Sequence, residues 1–168
     1  EIASVYLQLG EYEKAEPLAR RVLDARIAVA GDGSLATARA RRLLAEIRYQ
    51  RNAFEEAAEL ERLAGPRLGE STEREDQEAA IESRVGLAKS VFALGRYAEA
   101  AAWIERAAVD AREQFGADSP LLLHVLTTRT SQLLNSGQTA EAAESAHETA
   151  TLARRIEGAD APLTLSAT

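Results

Sequence analysis

The chain has 168 residues, 46% apolar and 5% aromatic, with a formal net charge of −7. That apolar share excludes a disordered chain, and the scarcity of aromatics favours Ala- and Leu-rich helices over a β-sandwich. The acidic balance disfavours a nucleic-acid or anionic-lipid surface, and the absence of cysteine excludes disulfides, thiolate metal sites and cysteine nucleophiles.

The first element is a helix that ends at Leu9-Gly10, and Glu11-Tyr12-Glu13-Lys14-Ala15 opens a second. The same pattern returns as Arg51-Asn52-Ala53-Phe54-Glu55-Glu56-Ala57, as Leu94-Gly95-Arg96-Tyr97-Ala98-Glu99-Ala100 and as Ser136-Gly137-Gln138-Thr139-Ala140-Glu141-Ala142. Its aromatic position, held by Tyr12, Phe54, Tyr97 and finally Thr139, advances by 42, 43 and 42 residues. A period of that length marks stacked helix pairs, each too small to bury its own apolar stripe. The expected repeats are 1–31, 34–73, 76–116 and 119–158, with Ala161-Pro162-Leu163-Thr164-Leu165 starting a further helix over 161–168. There is no methionine, and the pattern before Tyr12 is already helical, so a segment of a longer protein is expected.

Boundaries follow from turn chemistry. Gly31, Gly116 and Gly158 share one offset and are expected to end helices in the left-handed conformation. Ser34 and Ser119 are placed to cap the next helices, with Pro120 and Pro162 at the first helical position. In the second pair, Gly65-Pro66 predicts that the helix starting near Phe54 kinks or ends, leaving Arg67 to Glu75 as a loop. A kink tolerated inside a complete helix over 54–68 is the alternative.

In the third pair Ile81, Val85, Ala88 and Phe92 form one apolar face. Ala100, Ala101, Ile104, Ala107, Ala108 and Ala111 form the next, with Trp103 beside it. Glu105, Arg106, Asp110 and Arg112 are expected on the outer side. Small residues at two shared offsets (Ala15, Ala57, Ala100, Ala142 and Ala3, Ala45, Ala88, Thr130) allow helices to cross closely. Tyr12, Phe54 and Tyr97 are expected to plug the turns, and Thr139 leaves the fourth turn looser.

These motifs, together with Gly116-Ala117-Asp118-Ser119-Pro120, resemble a tetratricopeptide repeat (TPR) array of the roughly 42-residue kinesin-light-chain type found in bacterial regulatory proteins. The resemblance implies an all-α fold, a right-handed α-α superhelix of antiparallel helix pairs, whose first helices line a concave groove. Carried over position by position, that groove is Gln8, Arg39, Arg42, Glu46, Tyr49, Gln50, Glu82, Lys89, Phe92, His124, Thr127, Ser131 and Asn135. The family's carboxylate clamp of Lys and Asn is missing, since its positions hold Ser4, Glu46, Lys89 and Ser131, or Arg42, Val85 and Thr127. The paired Asn of kinesin-light-chain units is replaced by Glu1, Leu43, Gly86 and Thr128.

The resemblance implies a module for protein or peptide partners, the sensory or recruiting arm of a larger regulatory protein. A structural spacer or self-association arm is the alternative. Arg39, Arg42, Gln50 and Lys89 are candidate donors for an acidic segment, or else ordinary solvated residues paired with Glu46 and Glu82. No catalytic, cofactor or metal residues are expected. His124 and His147 lie on different helices without further ligands, and pairs such as Glu55-Glu56 fall on exposed helix starts. No apolar run approaches the roughly 18 residues of a membrane span, and no signal peptide leads the chain. No membrane or nucleic-acid partner is expected, and the expected compartment is the cytoplasm. Only two of twenty basic residues are lysine, Lys14 and Lys89, which with the alanine excess points to a GC-rich bacterial genome.

Overall fold

The computed structural model describes residues 2–160. Eight helices follow in chain order: α1 (Ile2–Gln8), α2 (Tyr12–Ala30), α3 (Leu35–Gln50), α4 (Phe54–Gly69), α5 (Arg74–Ala93), α6 (Tyr97–Phe115), α7 (Pro120–Asn135) and α8 (Thr139–Asp160). They pack as sequential antiparallel pairs, the all-α repeat architecture expected of the 42-residue period. Residues 1–107 form one compact unit and 108–168 another, the boundary falling within α6.

The turn inside each pair is built the same way four times. Gly10, Asn52, Gly95 and Gly137 all take the left-handed conformation, with φ of 72°, 61°, 78° and 78°. The next residue's N–H then reaches back five residues, as in Glu11 N to Tyr6 O at 2.9 Å and Arg96 N to Val91 O at 3.0 Å. These bonds satisfy carbonyls that the helix end orphans. Asn52 is the one non-glycine at positive φ among the described residues.

Between pairs, Gly31 and Gly116 have φ of 86° and 89° and end their helices as expected. Ser34 Oγ accepts from Thr37 N at 3.1 Å and Ser119 Oγ from Leu122 N at 3.2 Å, which confirms both caps. Gly158 does not end a helix, because α8 runs on to Asp160. Pro162 and the further helix over 161–168 lie outside the described residues.

The Gly65-Pro66 break is resolved against a loop. Helix α4 continues through Pro66 to Gly69, and only Glu70–Glu73 connect it to α5. The proline forfeits one backbone bond, but the turn beyond it carries Leu68, fully buried among Ala38, Ala64 and Ala80. Burying a leucine is worth about 1.5–3 kcal/mol, comparable to the roughly 3 kcal/mol penalty of an interior proline. Pro66 itself is exposed, so its ring meets solvent rather than a packed neighbour.

The shared small positions are buried in the described pairs: Ala15, Ala57, Ala100 and Ala142 are at most 1% exposed. Thr130 is half-buried and bonds Leu126 O at 2.9 Å and Ser145 Oγ at 2.8 Å. Two face assignments are corrected. Ala101 is exposed although it belongs to the expected stripe, and Asp110, expected outside, is 3% exposed. The buried set on α6 is Ala100, Ile104, Ala107, Ala108 and Ala111, with Asp110 beside it.

Candidate functional site

Within residues 1–107 the structure brings α3 and α5 side by side, and with them most of the candidate residues. Tyr49 is the centre of an aromatic pair with Phe54, ring centroids 5.4 Å apart, and Lys89 Nζ stands 4.5 Å above its ring. Phe92 pairs with Tyr97 at 4.9 Å. Tyr97 is 51% exposed, so it covers its turn from outside rather than plugging it. Burial and the neighbouring Glu46 raise the Tyr49 phenol above its usual range.

Arg39, Arg42, Gln50 and Lys89 are each engaged by a neighbouring side chain. Arg39 makes a two-pronged pair with Asp76, Nε to Oδ1 at 2.6 Å and Nη2 to Oδ2 at 2.8 Å. Asp76 also accepts from Ser71 Oγ at 2.7 Å and is 1% exposed. The Arg39 guanidinium, aided by the Ser71 hydroxyl, holds the Asp76 carboxyl below the usual range. Asp76 in turn raises Arg39. Arg42 is paired with Glu82, while its Nε is buried with no hydrogen-bond partner. Gln50 Nε2 donates to Glu46 at 2.8 Å.

The remaining candidates stand apart from this cluster. Gln8 is exposed on α1. His124, Thr127, Ser131 and Asn135 are exposed on α7, in the other unit. Thr127 and Ser131 donate to carbonyls of their own helix, Leu123 O at 2.8 Å and Thr127 O at 3.0 Å.

Sequence reasoning missed the most unusual group. Glu61 on α4 is 4% exposed, and burial pushes its carboxyl up to about 8 despite the downward pull of Ser83 and Arg42. Ser83 Oγ lies 2.5 Å from Glu61 Oε2 and 3.2 Å from the Glu61 carbonyl oxygen. Oε1 and Cδ press on Gly86: a Cβ there would meet them at 2.5 and 3.1 Å. Glycine at this position makes the room. A cavity of about 200 Å³ lined by Glu61, Gly65, Pro66, Ser83, Leu87 and Trp103 opens beside the pair, with Arg62 and Arg84 also on its wall.

The signal was present in the repeat register. Ala19 and Ile104 occupy the offset of Glu61, and Ala40 and Val125 that of Ser83, all of them buried apolar residues. A carboxyl and a hydroxyl replacing apolar residues at two facing core positions predict each other.

Paired helices with a glycine-turn repeat and close small-residue crossings define a helical-repeat protein. Family models for the tetratricopeptide repeat match residues 1–64 and 74–121, so over these stretches the chain is built of tetratricopeptide repeats. Two solved structures of a Podosopora anserina protein described as a putative kinesin light chain with nearly identical TPR-like repeats are similar. One of them, a point-substituted form, has 19% identity and TM-score 0.77, and the match covers 92% of this chain and 73% of that one. The other form has 19% identity and TM-score 0.73, with 91% and 72% covered. BtubC (BKLC) from P. vanneervenii is similar at 19% identity and TM-score 0.67, the match covering 90% of this chain and 60% of that one. At such identity the likeness is one of fold. No functionally characterised protein matches by sequence. Tetratricopeptide repeats are, in general, protein-interaction modules and typically non-catalytic. No helix among the described residues is long and apolar enough to cross a membrane.

Proposed function

We propose that the chain is a protein–protein or peptide interaction module, and that its docking surface is the α3–α5 face carrying Arg39, Arg42, Glu46, Tyr49, Glu82, Lys89 and Phe92. The observation that carries this is a half-buried ring, Tyr49 of α3, stacked on Phe54 and covered by Lys89 of α5, which also carries the half-buried Phe92 against Tyr97, within a frame of charged side chains. Aromatic and arginine side chains concentrate binding energy at interfaces. The guest is an extended or helical segment bearing acidic groups, whose carboxylate takes the place of Glu82 on Arg42. Such a module serves as the sensory or recruiting arm of a larger regulatory protein in the cytoplasm.

The test is a peptide array of acidic segments and their amide-substituted counterparts, probed with wild-type protein, Arg42→Glu and Tyr49→Ala. Acidic peptides are expected to bind and to lose affinity in both variants. Affinities indifferent to Arg42→Glu in every peptide overturn the assignment. A second function, spacer or self-association arm, is favoured by the exposed apolar residues of α1 and α2, Ile2 at 67%, Val22 at 41% and Val29 at 87%. Concentration-dependent sedimentation that is unaffected by Tyr49→Ala and abolished by Val29→Glu would select it.

A further inference from the structure

Glu61 and Ser83 face each other across the α4–α5 interface, and their geometry states which proton goes where. Ser83 Oγ is within hydrogen-bond distance of two oxygens of Glu61, the side-chain Oε2 at 2.5 Å and the main-chain carbonyl at 3.2 Å. A hydroxyl has one proton to give. With Glu61 ionised, that proton can serve only one of the two oxygens. With Glu61 protonated, its own O–H donates to Ser83 Oγ, and the Ser83 O–H donates to the Glu61 carbonyl. Both contacts are then satisfied, so the arrangement is that of a buried, neutral carboxylic acid.

The surroundings supply an alternative for the ionised form. From α3, Arg42 and Glu46 act on the Glu61 carboxyl, and from α5 Lys89 does so, besides Ser83. Arg62 and Arg84 share the cavity on the other side, where Arg62 is already held by Glu99 Oε1 at 2.7 Å. Lys89 is committed to the Tyr49 ring. Of these groups Arg42 carries a buried donor, Nε, with no hydrogen-bond partner among the described residues, while its Nη2 is on Glu82. Glu82 lies one helical turn before Gly86, which Glu61 Oε1 abuts, so an unsatisfied buried donor stands about a turn from a carboxyl that has no charge, a pair waiting for the charge.

We infer that Glu61 is a proton-operated switch for the α3–α5 face. As the acid it is tied to Ser83 beneath Gly86 and leaves Arg42 with Glu82; when its proton leaves to bulk water, the carboxylate draws the Arg42 guanidinium onto itself and releases Glu82 to the face. The exchange moves one positive group inward and leaves one carboxylate uncovered outside. The consequence for binding rests on the docking role proposed above: a segment with acidic groups binds the protonated form and is expelled as Glu82 is freed. The burial-raised titration of Glu61, up to about 8, puts the exchange within the neutral range.

The experiment needs no binding partner, so its failure is separate from failure of the docking assignment. Side-chain carboxyl carbons of the glutamates and the Arg42 Nε–H are followed by NMR from acid to alkaline pH in wild type and Glu61→Gln. The amide keeps the Ser83 contact but cannot ionise. In wild type, Glu61 is expected to titrate with a midpoint of about 8. The Arg42 Nε–H should become protected from exchange at that same midpoint, with a matching second step in Glu82. In Glu61→Gln both secondary changes vanish. A Glu61 midpoint near the ordinary glutamate value of 4.5 overturns the inference. So does an Arg42 Nε–H that stays flat through the Glu61 step. The wild-type titration decides by itself if the variant does not fold.

Discussion

Replacing Gly86 with alanine asks whether the acid is really wedged under α5. On a bare helix the change is favourable, since glycine costs about 1 kcal/mol against alanine in a helix interior. Here the new Cβ would lie 2.5 Å from Glu61 Oε1 and 3.1 Å from Cδ, closer than atoms tolerate. The acid is 4% exposed and held by Ser83, so it cannot swing into water freely. Overpacking costs about 1–3 kcal/mol, and a buried polar group torn from its partner costs a similar amount. Set against the propensity gain, the net effect of Gly86→Ala is a destabilisation of about 2 kcal/mol.

The same substitution made on a Glu61→Ala background should reverse sign and stabilise by about 1 kcal/mol, because only the helix term survives. The coupling between the two sites is then about 3 kcal/mol, large for a double-mutant cycle and characteristic of direct contact. Urea unfolding followed by the fluorescence of Trp103, the single tryptophan, reads the cycle from a ring that lines the adjacent cavity. Measurements belong near pH 6, where Glu61 stays protonated. If Gly86→Ala stabilises the wild-type background as much as the Glu61→Ala background, the wedge does not exist.

Two further outcomes follow from single sites. The stability of residues 1–107 should fall as pH rises from the ordinary glutamate value of 4.5 through about 8 and then level off, because between those values the folded state binds a proton the unfolded state has lost. At about 1.36 kcal/mol per unit the loss reaches several kcal/mol at most, less whatever Arg42 recovers, and Glu61→Gln should flatten the curve in calorimetric melts across that range. At the second turn, Asn52→Ala should cost about 1 kcal/mol by forcing a Cβ residue without a compensating amide into φ 61°, whereas Asn52→Gly should be neutral or stabilising; denaturant midpoints at fixed pH check both.

What could be read in advance was what repeats. Gly31 with Gly116, the caps Ser34 and Ser119, and the buried alanines each recur at a fixed offset, so two to four copies vouch for one another, and Gly158 alone broke its series. Among the candidate residues, Arg42 with Glu82 was open to reading as an internal pair, and the structure pairs them. What failed was what occurs once. Pro66 has no counterpart in the other second helices at its offset, and its outcome depended on Leu68, whose burial only the packed structure reveals. For Arg39 the partners weighed were Glu46 and Glu82, whereas its partner is Asp76, in the first turn of α5. Glu61 drew no assignment among the glutamates of an acidic chain, although its register placed it among Ala57, Ala58, Ala64 and Leu68.

The position of that acid within its interface explains how a titrating group can be tolerated there. Ala64 and Leu68 of α4 meet Ala80 of α5 on one side of it, while Ala58 meets Leu87 and Val91 on the other. Glu61 and Ser83 fall between the two clusters in both helices. Each cluster buries apolar surface that does not depend on pH, at about 25 cal/mol per Å². An ionisation that cost several kcal/mol at the end of an interface would fray it from that end. Flanked on both sides, the same cost cannot be relieved by separating the helices, and the cheapest remaining response is a counter-ion. Arg42 is the neighbour with an unused donor, so the strain of the charge is directed out of the core and onto the α3–α5 face.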